Sequence, residues 1–506
     1  MRVWCLFRAN AGVFTGNCMD KGILRNVAIN LFGLVLPTFV SLVTVPSYIR
    51  LLGVDRYGVI ALVWTLIGYF SVLDLGMSMA AQNHISKARA SGDGEACERV
   101  FWSAFWLNLT TGAIGGLLIY SGGALYTAYF THVTPELRHE VYFALPWLAI
   151  AIPVANVSWV FAGAINGAER FGVYNANQTL GTFLFQLLPL GAAWVIAPNL
   201  QTVIAAAVFA RVAAALLLGH SALRVLGIRT LRGPRFDTAK ALFNFGSWML
   251  IASVTTMVGD SLDRMMLGAG LGARFVTYYT VPQNLVKRLN LVPVALERTL
   301  FPRLSASHRE HADALATQSL QFLNALFTPV AIGAIVVLGP FLNVWVGPLI
   351  AGPGAPVGRV LIVAVWLVGQ ASVTRVLIQA QNNPAATARL GLVELPLFAG
   401  LLWFGIHRFG LPGAAGAVLC RAMFDYLVLL HLSHIRARTI LVDMFAHLSF
   451  LAAALAIAWY VPQALYAIGA GVVLALANVA WSVATTATLR GYVRSLLFRL
   501  NSRKSA

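Results

Sequence analysis

The strongest constraint on this chain is a series of long apolar segments, which recur along most of its 506 residues. Each segment is close to the roughly 20 residues that a helix needs to cross a bilayer. A helix also satisfies its own backbone hydrogen bonds, as a lipid environment requires. Windows of about 19 residues therefore predict an all-α polytopic membrane protein with about 14 transmembrane helices. The predicted spans are 26–49, 58–82, 100–123, 142–165, 173–197, 200–219, 241–262, 275–296, 321–346, 359–379, 387–406, 411–432, 443–461 and 464–487.

The amino-acid composition supports this fold class. Hydrophobic residues make up 59% of the chain and charged residues 11%, whereas about 25% of the residues in an average soluble domain are charged. A transmembrane barrel would alternate apolar and polar residues over about ten positions, and the apolar runs here are continuous. In a soluble protein the net charge of +18 would indicate a nucleic-acid partner. We expect none here, because the positions of the cations have another explanation.

The cations outside the predicted spans are unevenly distributed. Most of them fall on the face that holds the N-terminus, including those of the stretch 224–240 and of residues 490–506. Positively charged loops tend to stay in the cytoplasm, so both termini are predicted to be cytoplasmic. The cations assigned to the other face are Arg50, Arg56, Arg138, Arg264, Arg274, Arg359 and Arg408.

The chain also resembles itself at an offset of about 210 residues. Ala207–Arg211 matches Ala417–Arg421, and Arg50–Gly53 resembles Arg264–Gly268. Six spans separate equivalent positions, so the two copies should have the same orientation, as in parallel-repeat transporters. The predicted organisation is an N-tail at 1–25, a six-helix bundle at 26–223, a basic cytoplasmic linker at 224–240, a second six-helix bundle at 241–435, two further helices at 436–489 and a basic C-tail at 490–506. Residues 1–18 are interpreted as an extension upstream of a start at Met19.

Five cations fall inside the predicted spans: Lys287, Arg288, Arg211, Arg375 and Arg421. Such residues are costly in lipid and usually face protein or a water-filled cavity. Pro282 and Pro293 flank Lys287 and Arg288, which predicts a bent or broken helix there. Because Arg and Lys bind phosphate well, the five cations predict a cationic cavity for an anionic head group.

A second interpretation pairs these cations with acids. Asp425 lies one helical turn from Arg421, and Arg375 could pair with Glu394 on the next span. Asp74 is a further acid inside a span. The three intramembrane carboxylates could bind a coupling ion or act as charge partners.

Motifs of enzymes and metal sites are missing from the sequence. It contains no phosphate-binding GxxxxGK[ST] loop, no HExxH and no GxSxG. The four Cys and ten His residues show no metal-ligand spacing. The sequence thus predicts a protein without enzymatic activity, cofactor or metal site.

Local motifs in both halves resemble a known family. In the N-terminal third, Pro46 in the first span precedes Leu52-Gly53, Tyr57-Gly58 and Asp74-Leu75-Gly76, and a basic loop of small residues follows. In the second half the resembling residues are Tyr278, Tyr279 and Pro302-Arg303-Leu304-Ser305. Together with the layout of six, six and two spans, these resemble the polysaccharide or O-antigen flippases of the multidrug/oligosaccharidyl-lipid/polysaccharide exporter superfamily.

The resemblance implies a substrate and a location. The substrate would be an oligosaccharide on undecaprenyl pyrophosphate, moved from the cytoplasmic to the periplasmic leaflet of a bacterial inner membrane by alternating access. The product would serve O-antigen, capsule or exopolysaccharide assembly, with a polymerase and other assembly proteins as partners. The five intramembrane cations would contact the pyrophosphate or acidic sugars.

Two other functions remain open on the sequence. A multidrug or cation exporter of the same fold would favour intramembrane acids over cations. A membrane-embedded polymerase or glycosyltransferase would need a large charged outer loop, and the longest predicted one, 124–141, is short.

Overall fold

A computed structural model describes most of the chain, and all structural statements below concern the described residues. These are 40, 42–70, 77–129, 135–235, 237, 259, 261–305, 309–380, 384–433, 435, 437–461, 463–486 and 490–491. Their regular secondary structure is entirely helical. Of the predicted spans, most of 26–49 and of 241–262 lies outside the described residues.

The helices fall into an N-half and a C-half along the chain. The N-half contains α1 (Leu42–Leu52), α2 (Val54–Phe70), α3 (Met77–Ala90), α4 (Gly94–Tyr129), α5 (Pro135–Gly167), α6 (Phe171–Val195) and α7 (Leu200–Leu226). The C-half contains α8 (261–270), α9 (Ala273–Val286), a 3-10 turn (Lys287–Asn290), α10 (Leu291–Ser305), α11 (Arg309–Val346), α12 (Pro348–Ala380), α13 (Pro384–Ser433), α14 (Ala437–Tyr460) and α15 (Ala464–Thr485).

The prediction of a helical polytopic membrane protein is confirmed. Eight helices in the described part of the chain are long and apolar enough to cross a membrane. The predicted spans 387–406 and 411–432 are the two segments of α13, which join at Gly410 with a φ of 63°. The segments approach closely beside this kink, because a Cβ added to Gly405 would lie 2.6 Å from the carbonyl oxygen of Gly413.

Several helices extend beyond the apolar segments that predicted them. α3 includes residues 83–90, which the prediction placed in a cytoplasmic loop. α7 continues to Leu226 and ends at Gly227, whose φ of 71° is of the left-handed kind common at helix C-termini. Apolar windows locate the part of a helix that lies in lipid, so they miss the polar turns at its ends.

Within each half the helices pack mainly on one another. In the N-half, α5 packs on α3, α4 and α7, and α6 packs on α7. In the C-half, α12 packs on α9, α10, α11 and α13. A continuous buried core surrounds α12 and contains Trp366, Phe327 and Tyr426. This core extends into α1 and α2 of the N-half, and two further clusters hold other buried residues of that half. The main contact between the halves is made by α2 and α9.

The last two helices are attached to the C-half through polar side chains as well as apolar ones. Asn324 of α11 donates a 2.7 Å hydrogen bond to Asp443 of α14. Buried His447 of α14 lies 2.9 Å from the side-chain amide of Asn478 of α15. These bonds fix α14 and α15 against α11, because leaving such buried polar groups unpaired would be costly.

Candidate functional site

The contact between the halves forms where α2 and α9 begin. Each helix follows a glycine with positive φ, Gly53 (83°) and Gly272 (96°), a conformation that side chains disfavour. The hydroxyl of Thr277 donates a 2.7 Å hydrogen bond to the backbone carbonyl of Val54. Gly58 lies so close to the carbonyl oxygen of Ala273 that a Cβ at position 58 would collide with it.

This contact is approximately symmetric in the sequence repeat. When Gly53 is aligned with Gly272, Val54 matches Ala273 and Gly58 matches Thr277, so each helix presents the same two positions to the other. The sequence alignment of Gly53 with Gly268 is wrong at this point, because Gly268 lies inside α8. The dipeptide Leu-Gly occurs at 267–268 and again at 271–272, and the sequence resemblance used the first of these.

An ion pair lies beside the contact. Asp55 and Arg274, also equivalent in the corrected alignment, are joined by a 2.9 Å bond between the carboxylate and the guanidinium. Their side chains are 46% and 58% exposed, and such exposed pairs contribute only about 0.2–1 kcal/mol. The tight backbone approach at Gly58 is therefore the more specific part of the contact.

Lys287 and Arg288 lie further along the same helical segment. They begin the 3-10 turn between α9 and α10, so the α-helical hydrogen-bonding pattern is interrupted there, as the flanking prolines predicted. Lys287 is half-buried and Arg288 is exposed. At 1.5 Å per residue, the 13 positions from Arg274 place Lys287 about 20 Å along the helix from the contact.

Two of the predicted cations lie in a four-residue cluster inside the C-half. Arg375 of α12 donates a 2.6 Å hydrogen bond to Asp425 of α13. Arg421 of α13 lies 3.8 Å from Glu394 on the other segment of that helix. The carboxyl groups of Glu394 and Asp425 lie close enough to interact with each other. We call Arg375, Glu394, Arg421 and Asp425 the C-half charge cluster.

The partners in this cluster differ from those predicted. The sequence paired Arg421 with Asp425 and Arg375 with Glu394, and the structure exchanges the two acids. The kink at Gly410 brings the first segment of α13 against the second, so Glu394 reaches Arg421 across the hairpin. Both acids are buried, and the cluster contains two cations and two carboxyl groups.

The guanidinium of Arg421 makes two further contacts. It donates a 2.9 Å hydrogen bond to the carbonyl oxygen of Gly259. It also lies over the ring of Phe398, 4.7 Å from the ring centre. Arg421 is thus held by protein groups on several sides, as expected for an intramembrane cation with a structural role.

Arg211 of α7 has a different environment. Its guanidinium lies over the ring of Phe185, 5.0 Å from the ring centre. Within the described part of the chain, no acid lies within ion-pair distance of it. It borders a cavity of about 220 Å³ between α5, α6 and α7, the Arg211 pocket. Its lining includes Ala162, Gln178, Gly181, Thr182, Phe185 and Ala215.

Energies indicate that the stacking contact does not compensate Arg211. A cation over an aromatic ring gains about 0.5–2 kcal/mol. Placing an arginine at the bilayer centre costs about 2.5–3.5 kcal/mol on insertion scales. Arg211 is 11 residues from the start of the 27-residue helix α7 and hence close to its middle. Water or an anionic ligand in the pocket would supply the remaining stabilisation.

One buried cation was assigned wrongly by the sequence. Arg359 was counted as a loop residue of the outer face, but it lies inside α12 and is only 9% exposed. Its Nε atom has no hydrogen-bond partner among the described residues. The preceding stretch 348–358 contains six glycine or proline positions and resembles a loop, yet it is helical. Asp74, the third predicted acid, lies outside the described residues.

One buried acid and its contacts were not identified from the sequence. Asp263 of α8 was not among the candidate site residues. It accepts 2.7 Å hydrogen bonds from the hydroxyl of Tyr279 and the amide of Gln283, both on α9. The spacing of Tyr279 and Gln283, one turn apart on α9, was the available signal. The described residues contain no group of three or more His, Cys, Asp or Glu that could hold a metal ion.

Comparison with known sequences gives a family match. Residues 49–348 match the profile of a family described as "Polysaccharide biosynthesis protein". The chain is 27% identical over 412 residues to a Shigella flexneri protein named "Putative O-antigen transporter". That alignment covers 80% of this chain and 96% of the relative.

Solved structures with the same fold have lower sequence identity. A structure of the lipid II flippase MurJ in an inward closed conformation matches 90% of this chain and 99% of its own, with a TM-score of 0.69 and 12% identity. A multidrug resistance MATE family transporter of the MOP superfamily, in an inward-facing conformation, matches 81% and 98%, with a TM-score of 0.67 and 13% identity. At these identities the similarity concerns the fold alone.

Proposed function

Because the chain belongs to the family of polysaccharide biosynthesis proteins, we propose that it moves a lipid-linked oligosaccharide across the membrane for surface polysaccharide assembly. The substrate would be an oligosaccharide on undecaprenyl pyrophosphate, transferred from the cytoplasmic to the periplasmic leaflet of a bacterial inner membrane. The relative named for O-antigen transport, which aligns over most of its length, supports this substrate class. Unaided transfer of such a polar head group through hydrocarbon is very costly, so a protein pathway is needed.

The observation that carries the proposal is the position of the contact between the halves. Two repeated halves meet through equivalent helices, α2 and α9, at the end where these helices begin. This is the arrangement required for alternating access, in which one bundle rocks against the other around a site at their interface. On the predicted orientation, this end is periplasmic and the open end would be cytoplasmic.

The intramembrane cations would provide the polar surface of the pathway. Lys287 and Arg288 lie about 20 Å from the contact, on a segment whose helix is interrupted. They would meet the pyrophosphate as it enters, since both side chains donate well to phosphate oxygens. Glu394, Asp425 and Asp74 remain candidates for carrying a coupling ion, and the driving force would be an ion gradient or the substrate's own gradient. We propose a transporter without catalytic activity, which delivers its substrate to a polymerase and other assembly proteins.

A complementation experiment tests the role of these cations. Lys287→Ala with Arg288→Ala should leave membrane insertion intact and abolish surface polysaccharide in a strain lacking its own flippase. The matched control is Arg138→Ala with Arg408→Ala, which removes two exposed cations assigned to the opposite face. Normal polysaccharide from the first double variant would contradict the cationic pathway.

Transport itself should be measured with the purified chain in liposomes. A fluorescent undecaprenyl-pyrophosphate oligosaccharide in the inner leaflet should become accessible to an external glycosidase faster than in protein-free liposomes. Equal rates with and without the protein, under an imposed ion gradient of either direction, would refute the proposed function.

A further inference from the structure

The Arg211 pocket and the C-half charge cluster occupy equivalent places in the two halves. α5 and α12 are both 33 residues long and begin at Pro135 and Pro348, which are 213 positions apart. Phe185 and Phe398 are also 213 positions apart, and each lies under an arginine, at 5.0 Å and 4.7 Å. The same arginine–phenylalanine stack is therefore present in both halves, on equivalent helices.

The other members of the C-half charge cluster are missing from the N-half. At the offset of 213, Arg375 corresponds to Ala162 and Glu394 to Gly181. At the offset of 210 that relates Arg421 to Arg211, Asp425 corresponds to Ala215. These three small residues all line the Arg211 pocket. The pocket is thus the space that three charged side chains occupy in the other half, with one arginine retained.

We propose that the Arg211 pocket binds a phosphate group of the lipid carrier. This inference rests on the proposed function, because it names the part of that substrate which the pocket recognises. The pocket contains a guanidinium without a described acid partner, and its described lining has no carboxylate. Gln178 and Thr182 add an amide and a hydroxyl to the lining of the pocket. A guanidinium with neutral polar neighbours suits an oxyanion.

The size of the pocket selects the phosphate rather than the sugar. Its volume of about 220 Å³ is below the roughly 300–1,000 Å³ of pockets that enclose a drug-sized ligand. A single phosphate with a few waters can be accommodated, whereas an oligosaccharide cannot. The C-half charge cluster offers no equivalent site, because its cations already bind Asp425 and Glu394.

The repeat supplies a direct test by substitution. Ala215→Asp would place an acid four positions from Arg211, within reach of an ion pair along the helix. Asp425 is bound by Arg375 in the C-half, but the equivalent position here is Ala162, so the new acid should neutralise the guanidinium of Arg211 instead. Ala215→Asn has nearly the same shape without the charge and is the matched control. Arg211→Gln removes the cation, and Arg211→Lys keeps it without the planar fork.

Binding is measured with the full chain in phosphatidylcholine nanodiscs. The probes are undecaprenyl pyrophosphate, undecaprenol, which lacks phosphate, and phosphatidylglycerol as a bulk anionic lipid. Ala215→Asp and Arg211→Gln should each weaken undecaprenyl pyrophosphate binding by about tenfold or more, the loss of a charge-assisted hydrogen bond. The affinity of Ala215→Asn for undecaprenyl pyrophosphate should stay within about twofold of the wild type. Arg211→Lys should lose less affinity than Arg211→Gln.

Three results would overturn the inference. The first is unchanged binding by both Ala215→Asp and Arg211→Gln. The second is equal binding of undecaprenol, or equal competition by phosphatidylglycerol, which would assign the pocket to the carrier chain or to bulk lipid. The third is that adding Asp74→Asn restores the undecaprenyl pyrophosphate binding lost in Arg211→Gln, which would make Arg211 a partner of that acid. If the wild-type chain transports the substrate in liposomes while Arg211→Gln binds it as the wild type does, the site is refuted and the proposed function stands. Phosphate-dependent binding without transport would refute the function and retain the site.

Discussion

The two halves place the same arginine on the same aromatic ring and then treat its charge in opposite ways. In the C-half, Arg421 is joined by a second arginine and two buried acids. In the N-half, Arg211 faces a cavity lined at the equivalent positions by Ala162, Gly181 and Ala215. A duplicated fold can therefore use one copy of a polar site for internal structure and leave the other copy available to a ligand.

The buried apolar cores of the two halves also differ. The buried residues around α12 form one continuous cluster that reaches α1 and α2, whereas two other clusters hold further buried residues of the N-half. A continuous core restricts relative movement of the helices within it. Most of the C-half is thus packed around one core, whereas the packing of the N-half is divided.

The sharpest test of this contrast is a pair of equivalent substitutions. Arg421→Leu should lower the free energy of unfolding by about 2 kcal/mol, because it leaves the buried carboxylate of Glu394 without its cation. This is below the roughly 3–5 kcal/mol that removing one partner of a buried ion pair costs, because Arg421 is partly exposed and 3.8 Å from that acid. Arg211→Leu should leave stability unchanged or raised, since it removes a costly intramembrane charge and orphans no described acid. Thermal unfolding of both purified variants in detergent measures the difference.

A double variant provides the control. Arg421→Leu with Glu394→Leu removes the ion pair as a unit and should recover most of the lost stability, as apolar replacement of buried pairs usually does. Equal destabilisation by Arg421→Leu and Arg211→Leu would mean that the two arginines have the same role, and the contrast between the halves would be lost.

The sequence predicted the helices more completely than their contacts, for a physical reason. Apolar length is a local property, so the spans that became α4, α5, α11 and α12 could be located without knowledge of neighbours. The acid that neutralises Arg421 depends on how α13 turns at Gly410, which brings Glu394 from 27 positions away. The rule of pairing within one turn favoured Asp425 instead.

The site was predictable in part for the same reason. The sequence located five cations inside apolar runs, where a charge is conspicuous. Arg375 and Arg421 lie in the C-half charge cluster, and a substrate-binding role for the five cations stays a prediction. The cavity beside Arg211 could not, because it is created by small residues on three helices, none of which is unusual alone. Arg359 was missed since its run begins with residues typical of a loop.

The second prediction concerns the contact between the halves, where equivalent positions again differ. Thr277 donates to Val54, whereas Gly58, its equivalent, leaves room for the Ala273 carbonyl. Gly58→Ala should force α2 and α9 apart and destabilise this conformation by about 1–3 kcal/mol, the usual cost of overpacking. A bias of 1.4 kcal/mol changes a population ratio by about tenfold, so transport should fall markedly if both conformations are needed.

Distances between spin labels measure this bias. Val195 of α6 and Leu349 of α12 are 76% and 64% exposed and lie at the predicted periplasmic ends of the two halves, so both accept a label. In a cysteine-free background, Gly58→Ala should add a longer component to the distance distribution. Gly122→Ala is the control, because a Cβ there meets nothing within 4 Å. An unchanged distribution for Gly58→Ala would show that the contact does not hold the halves together.

The smallest expected effect belongs to Asp55 and Arg274, where the repeat has placed opposite charges at equivalent positions. Both side chains are about half exposed, so Asp55→Asn should change the conformational equilibrium by about 1 kcal/mol at most. Asp55→Arg should have a larger effect, because it places two cations against each other. Adding Arg274→Asp should reverse this effect, because the two positions are interchangeable in the repeat. These effects should shrink at high ionic strength, which screens exposed charges but not the Gly58 contact. The same spin-label distances, recorded at low and high salt, would separate the two components. A charge swap that fails to restore the wild-type distribution at low salt would mean that the symmetry of the contact does not extend to its charged pair.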